Sequence, residues 1–375
     1  MAVEALKQLT GIELSIKQIR RMVGEVGAAR VAERDGAVEQ LQAMPLPQRR
    51  QGSAAGEPPP LAAISMDGGR YQRRDNFRGE PTRQAGGEHW RETKVACLLS
   101  MQSTVQDCDP APELPEYLVH GQVIAELARI ADKRASPAED AAAEELATEA
   151  EPLSYQPPEL LSREILASSE DAEKFGWQLE ARAWQLGFSR AERQVFVADG
   201  GKANWSIQRK HFPRAIQVVD LMHALSYAWA AAAAVDQGSS YRQWAEWIWQ
   251  GEVSRVIADL AEHQARLGRP PDDVDPHDPR QRVDRALTYY RNNQTRMNYP
   301  EYRRLGLPLT SSHIESTIKQ INRRIKGSEK FWCKVSGEAV LQLRADCLSD
   351  TQPLTAFWRR WQAQQTGSNR YQTAV

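Results

Sequence analysis

The sequence predicts an α/β protein whose sheet is partly parallel and is flanked by helices, with an all-helical stretch set into it. Three observations carry this. Short β-rich runs, "LAAISMDGG" at 61–69, "RQVFVADGG" at 193–201 and "AIQVVDLMH" at 215–223, alternate with helix-compatible segments, as strands and helices do in α/β sheets. Residues 226–304 are almost wholly helical in pattern and rich in Trp, broken by "GRPPDDVDPHDPRQ" at 268–281. Finally, "SSHIESTIKQINRRIKGSEKFW" at 311–332 places Ile314, Ile318, Ile321 and Ile325 at intervals of four, three and four, the narrow apolar stripe of a helix facing a core.

Taken in order, residues 3–43 read as helices broken near Gly11, Gly24 and Gly36, with the outline of a helix-turn-helix in "ALKQLTGIELSIKQIRRMVGEVG". A plain helical hairpin accounts for it as well. The Gly/Pro/Ser-rich "QRRQGSAAGEPPP" at 48–60 reads as a linker after an N-terminal helical region, 1–47. The first core part, 61–225, opens on a strand that stops at Asp67. "HWRETKVACLLSM" at 89–101 pairs with it as a hairpin or meander across a long polar connection. Residues 134–158 are Ala/Glu/Pro-biased and read as a solvated loop or loosely held helix. From Pro158 to Phe188 the pattern is helical, whereas the run at 193–201 is apolar on both faces, as in a central buried strand. A helical insertion at 226–305, a second core part at 306–350 and a C-terminal tail at 351–375 complete the expected organisation.

Composition narrows the classes of function. The 375 residues, 41% of them hydrophobic, supply ample core. A net charge of −1 gives no overall attraction to nucleic acid, so phosphate contacts must come from local clusters such as the basic run at 319–334. Cys97, Cys108, Cys333 and Cys347 have no CxxC spacing and no disulfide framework; they read as reduced thiols of a cytoplasmic protein. The longest apolar run, Tyr227 to Val235, is far below spanning length, and the N-terminus lacks the pattern of a signal peptide.

The candidate chemistry lies in three acids. Asp67 and Asp199 each stand where a strand gives way to Gly-Gly, the place in open α/β sheets where ligands gather. Glu315 opens the helix that follows the insertion, at the head of a row continued by Lys319, Asn322 and Lys326, with Arg323 beside it. Three carboxylates at one sheet edge repel unless divalent cations neutralise them. Hard Mg²⁺ or Mn²⁺ suits that need, and two such ions form the clamp used for in-line displacement at phosphodiesters. Each acid also has a plainer reading. Asp before Gly-Gly is a common turn element, and Ser312-His313-Ile314-Glu315 has the form of a capping box.

In this order, strand-Asp, strand-Asp, helical insertion, helix-Glu, the chain resembles the transposases of bacterial insertion sequences that use an Asp-Asp-Glu triad on an RNase H-like fold. Within them it is similar to the ISKra-type group, with affinities to Mutator-like and ISL-type enzymes. The resemblance is carried by "SMDGGR", "HWRETKV", "FVADGGKANWSIQRKHFPRAIQVVDLMHAL" and "SSHIESTIKQINRRIKGSEKFW", with "LQLRADCL" after it, and covers roughly residues 60–350. It implies that Asp67, Asp199 and Glu315 hold two Mg²⁺ or Mn²⁺ ions, with Asp220 and His223 beside the triad. Trp205 and Trp332 read as packing residues, Trp332 having base stacking as its alternative. The resemblance implies DNA contacts for Lys319, Arg323, Arg324, Lys326 and Lys330. It also implies DNA partners, transposon ends and target, bound by a homodimer or larger assembly at the nucleoid. Relatives carry a longer N-terminal region, which implies a truncated copy here. A stand-alone nuclease on the same fold, or a derivative that grips DNA without cutting it, are the alternatives.

Overall fold

The computed structural model describes residues 13–53, 57–73, 90–119, 156–271, 273, 275–327 and 330–366; of Glu315 and residues 364–366 only the backbone is described. The chain opens with α1 (Ile16–Ala43) and α2 (Leu46–Gln51), then the long strands β1 (Leu61–Arg73) and β2 (Trp90–Gln102). Strand β3 (Glu159–Ser168), α3 (Ala172–Gln185), β4 (Arg193–Ala198), α4 (Lys202–His211) and β5 (Ile216–Val219) complete the main sheet. Helices α5 (Leu221–Asp236), α6 (Tyr241–Trp249), α7 (Val253–Leu267), α8 (Pro279–Asn293) and α9 (Tyr299–Arg304) follow without an intervening strand among the described residues. The chain then returns to the sheet through α10 (Ser312–Ile325), β6 (Phe331–Trp332), α11 (Lys334–Leu348) and α12 (Pro353–Thr366).

The strand order is β3-β2-β1-β4-β5, with β6 paired to the end of β1. Pairing is antiparallel between β1, β2 and β3, and parallel from β1 through β4 to β5. The fold is the mixed α/β class that the sequence predicts, a mixed sheet with flanking helices. The centre is dry: Val195 to Ala198 of β4 and Leu61 to Ala63 of β1 are each at most 1% exposed, as expected for strands covered on both faces. Helix α10 packs on β1 and β2, and α11 packs on β3, α10 and α1.

Several local expectations are corrected. Residues 159–168 form β3 rather than helix. The run Glu164 to Ser168 is short and buried on both faces, so its periodicity does not separate strand from helix. Helix α1 runs unbroken through Gly24 and Gly36, which removes the helix-turn-helix outline from the described part of 3–43; residues 1–12 lie outside the described residues. Packing overrides glycine's poor helix propensity. A Cβ on Gly27 would lie 2.6 Å from the Ala339 Cβ, so the glycine lets α1 sit directly on α11. Arg30 Nε donates to Asp346 at 2.8 Å, and Arg34 Nη1 donates to Glu338 at 2.8 Å. Residues 48–51 of the expected linker belong to α2, and much of the expected tail forms α12. The biased segment 134–155 lies outside the described residues.

The helical stretch is fastened to the sheet by named polar contacts. Arg303 is 0% exposed; its Nε donates to Asp109 at 2.8 Å, its Nη2 donates to the Trp249 carbonyl at 3.1 Å, and the guanidinium lies 4.0 Å from the Trp249 ring centre. Burial acts to raise the Asp109 carboxyl, and Arg303 outweighs it, leaving the acid below its usual range. Tyrosine hydroxyls reach the outer carbonyls of the edge strand: Tyr302 to Gln217 and Tyr299 to Val219, both at 3.0 Å. Removing one partner of a buried, hydrogen-bonded ion pair costs roughly 3–5 kcal/mol. Arg303→Ala is therefore expected to lower unfolding stability by about that amount, read from urea denaturation, and a loss under about 1 kcal/mol contradicts the anchoring role.

Candidate active site

Parallel pairing of β1 and β4 sets Met66 opposite Ala198, so the next residues, Asp67 and Asp199, stand side by side on strands about 4.8 Å apart. Strand β4 stops there, while β1 continues to Arg73 beside β2. Asp67 thus marks where β1 loses its parallel neighbour rather than where it ends, a correction to the expected strand end.

Each aspartate is fixed by glycine backbone. Gly68 N–H donates to Asp67 Oδ1 at 2.6 Å. Asp199 Oδ1 accepts from Gly201 N–H at 2.8 Å and from Asn204 Nδ2 at 2.9 Å. Gly200 has φ +98°, and a Cβ there would lie 2.8 Å from the Tyr289 ring, so glycine alone suits the position. The Tyr289 hydroxyl in turn donates to the Asp199 carbonyl at 3.2 Å.

Asp67 is half-buried, and its carboxyl is pushed up to about 6, first by burial and then by the negative charge of Asp199. The Gly68 N–H and nearby His223 act the other way, and Asp220 adds a small upward push. Two carboxylates facing one another without a counter-charge hold a proton more tightly than free acids do.

Asp220 and His223 are corrected from a strand end to the start of a helix. Asp220 is the N-cap of α5: its Oδ1 accepts from Met222 N–H at 2.7 Å and His223 N–H at 3.2 Å. Its Oδ2 accepts from Ser311 N–H at 2.6 Å and from the Ser311 hydroxyl. At 0% exposure, burial acts to raise its carboxyl, and His223 and Ser311 outweigh that, holding it below the usual range. Asp220 is therefore a structural acid, whereas His223, with Nδ1 3.7 Å from Asp220 Oδ1, also lowers the proton affinity of Asp67.

Helix α10 crosses the same face of the sheet. Cys97 stands opposite Ser65 in the β1/β2 register, and its Sγ lies 3.5 Å from Thr317 Oγ1. Facing residues of paired strands share a side, as do residues two apart along a strand. Asp67 and Gly69 therefore point to the side covered by α10, and a Cβ on Gly69 would lie 3.3 Å from Asn322 Oδ1. Ile314, Ile318, Ile321 and Ile325 are all at most 9% exposed, as the stripe predicts. Glu315 lies one turn past Ser311 and before Thr317, and its side chain lies outside the described residues. The expected cap shifts by one: the N-cap is Ser311, with no side-chain capping bond, and Ser312 is the first residue of the helix.

Lys319, Arg323 and Arg324 are exposed, and Lys326 is half-buried. Lys330 is exposed as well, with its ammonium donating to the carbonyls of Arg323 at 3.2 Å and Arg324 at 3.5 Å, which ties it to the end of α10. Trp205 is 3% exposed and donates to Asn293 Oδ1 at 3.2 Å. Trp332 donates to the Ile325 carbonyl at 3.0 Å. Both serve packing. Among the described residues no three His, Cys, Asp or Glu side chains gather as a metal set, and no helix is long and apolar enough to cross a membrane. Ser311, Asn204 and Tyr289 escaped the sequence reading; of these only Asn204, a polar residue in the first turn after "DGG", carries a local signal.

Comparison with protein-family models finds no match to the chain, and comparison with curated proteins finds no relative.

Ionising Asp67 disfavours the folded state, because the folded chain keeps this proton up to about pH 6 while the ordinary carboxyl value is 3.8. The stability it contributes is present at low pH and is lost as pH rises through about 6. Asp67→Asn is accordingly expected to stabilise the metal-free protein above that pH, by roughly 1–3 kcal/mol. The difference shrinks toward low pH in thermal melts, and a destabilised variant at high pH contradicts the electrostatic account.

Proposed function

We propose that the chain is a transposase of the Asp-Asp-Glu kind, which cleaves DNA at the ends of a mobile element and joins the freed 3′-hydroxyl to target DNA. The observation that carries the reading is the register of β1 on β4, which sets Asp67 beside Asp199 on the face crossed by α10. The oxygen donors fit a hard divalent cation, and the raised proton affinity of Asp67 marks a site short of positive charge. Asp67, Asp199 and Glu315 are the residues that would hold Mg²⁺ or Mn²⁺. When bound, a pair of such ions supplies activation of the attacking oxygen and stabilisation of the leaving one.

The remaining tasks fall to the chain itself. Gly201 N–H and Asn204 fix the rotamer of Asp199, and His223 favours the ionised form of Asp67. Lys319, Arg323, Arg324 and Lys326, on the borders of α10 away from its buried stripe, are suited to phosphate contacts that set the register of a DNA strand. Assembly as a homodimer or larger complex on paired DNA ends belongs to the same reading.

Purified protein is expected to cleave DNA bearing the element's ends only with Mg²⁺ or Mn²⁺, and Asp67→Ala, Asp199→Ala and Glu315→Ala each to reduce products to background. Metal-dependent cleavage retained in any one of the three contradicts the assignment. Lys319→Ala and Arg324→Ala are each expected to weaken binding across sequences and to reduce the slope of log K against log salt by about 0.9. An unchanged slope in filter-binding titrations removes that residue from the DNA interface.

A further inference from the structure

We infer that Ser311 is a positioning residue: held by the buried carboxylate of Asp220, it fixes the first turn of α10, which carries Glu315, relative to β4 and to Asp199, the residue that follows it. The inference rests on the metal-site reading above. One residue, Asp220, ties together three parts of the chain. The backbone N–H of Asp220 donates to the Ala198 carbonyl at 2.9 Å, one residue before Asp199. Its Oδ1 caps α5, and its Oδ2 takes both the N–H and the hydroxyl of Ser311. The neighbouring Leu221 N–H donates to the Leu309 carbonyl at 2.9 Å, so the segment entering α10 is held at two points.

Glu315 follows Ser311 by four residues, about one helical turn, so a tilt of that first turn moves Glu315 with it. Further along, α10 is held on the sheet by its isoleucines and by Thr317 beside Cys97. Without the Asp220 link the helix keeps its packing but loses the restraint at the end that bears the acid. Only an ionised carboxylate can accept all four donors that converge here. An Asn at 220 would turn an NH₂ toward N–H or O–H donors. Ser311 is 3% exposed and its hydroxyl makes no capping bond to α10, so its polar reach is directed to Asp220 rather than to its own helix.

The test uses the full-length protein and Mn²⁺ binding by calorimetry, well below the melting temperature, alongside thermal unfolding. Ser311→Ala removes the hydroxyl and spares the backbone bond, Ser311→Thr restores the hydroxyl, and Leu41→Ala, in the buried part of α1, controls for general destabilisation. Loss of an outer partner of metal ligands weakens metal affinity roughly 10–100-fold. Ser311→Ala is expected to weaken Mn²⁺ binding by about tenfold or more, Ser311→Thr to recover it, and Leu41→Ala to leave it unchanged despite a lower melting temperature. Equal Mn²⁺ affinity in wild type and Ser311→Ala overturns the positioning role alone. A wild type that takes up no Mn²⁺ overturns the metal-site reading and this inference with it.

Discussion

The parallel register of β1 on β4 is the constraint on which the site depends. Because facing residues share a side of the sheet, placing Met66 against Ala198 commits Asp67 and Asp199 to stand together, whatever lies between them in the chain. A slip of one residue would turn Asp67 to the opposite face. The register is enforced by core rather than by the acids, which repel one another. Ile64, Met66, Phe196 and Ala198 on one face and Ala63, Val195 and Val197 on the other are all at most 3% exposed, and a slip would break that packing across both faces. The sheet is stable enough to hold two acids abreast, and the cost of burying Asp67 beside the charge of Asp199 appears as its raised proton affinity.

Much of the chain serves to close the sheet around this point. Strand β5 is only four residues long and lies at the edge, where unpaired backbone invites association with other chains. Here Tyr299 and Tyr302 satisfy its outward carbonyls, Tyr289 reaches the Asp199 carbonyl and Tyr290 that of Ala224 at 2.6 Å. Each such bond contributes about 0.5–1.5 kcal/mol net, with more from burial of the rings. Burial pushes the phenols of Tyr289, Tyr290 and Tyr299 well above their ordinary values, so they remain donors across the working range of pH. The helical stretch is thus joined to the sheet through the backbone of β5, of Asp199 and of the first turns of α5.

What the sequence disclosed follows from which physical signals are local. The runs at 61–66 and 195–198 are almost wholly apolar and lead into Asp-Gly-Gly, and the isoleucines of α10 repeat at helical spacing; both patterns reflect burial that each segment experiences along its whole length. Strand β3 was hidden because half of it is an exposed edge and half is buried on both faces, so no single period runs through it. The continuity of α1 was hidden for a different reason. Gly24, Gly27 and Gly36 weaken a helix locally, and the close approach of Gly27 to Ala339 lies more than 300 residues away in sequence. The Asp220 to Ser311 link is equally non-local. Sequence alone favoured Ser312 as the cap, and only the fold brings Ser311 to a carboxylate at the head of another helix.

The central claim is that Asp67, Asp199 and Glu315 share divalent cations. An anomalous-scattering map from crystals of the wild-type protein grown with Mn²⁺ tests it most directly. The account predicts a manganese peak between the carboxylates of Asp67 and Asp199, with Glu315 contributing an oxygen to the same cluster. Manganese absent from that place in well-ordered crystals, or bound there with Glu315 turned away to solvent, contradicts it.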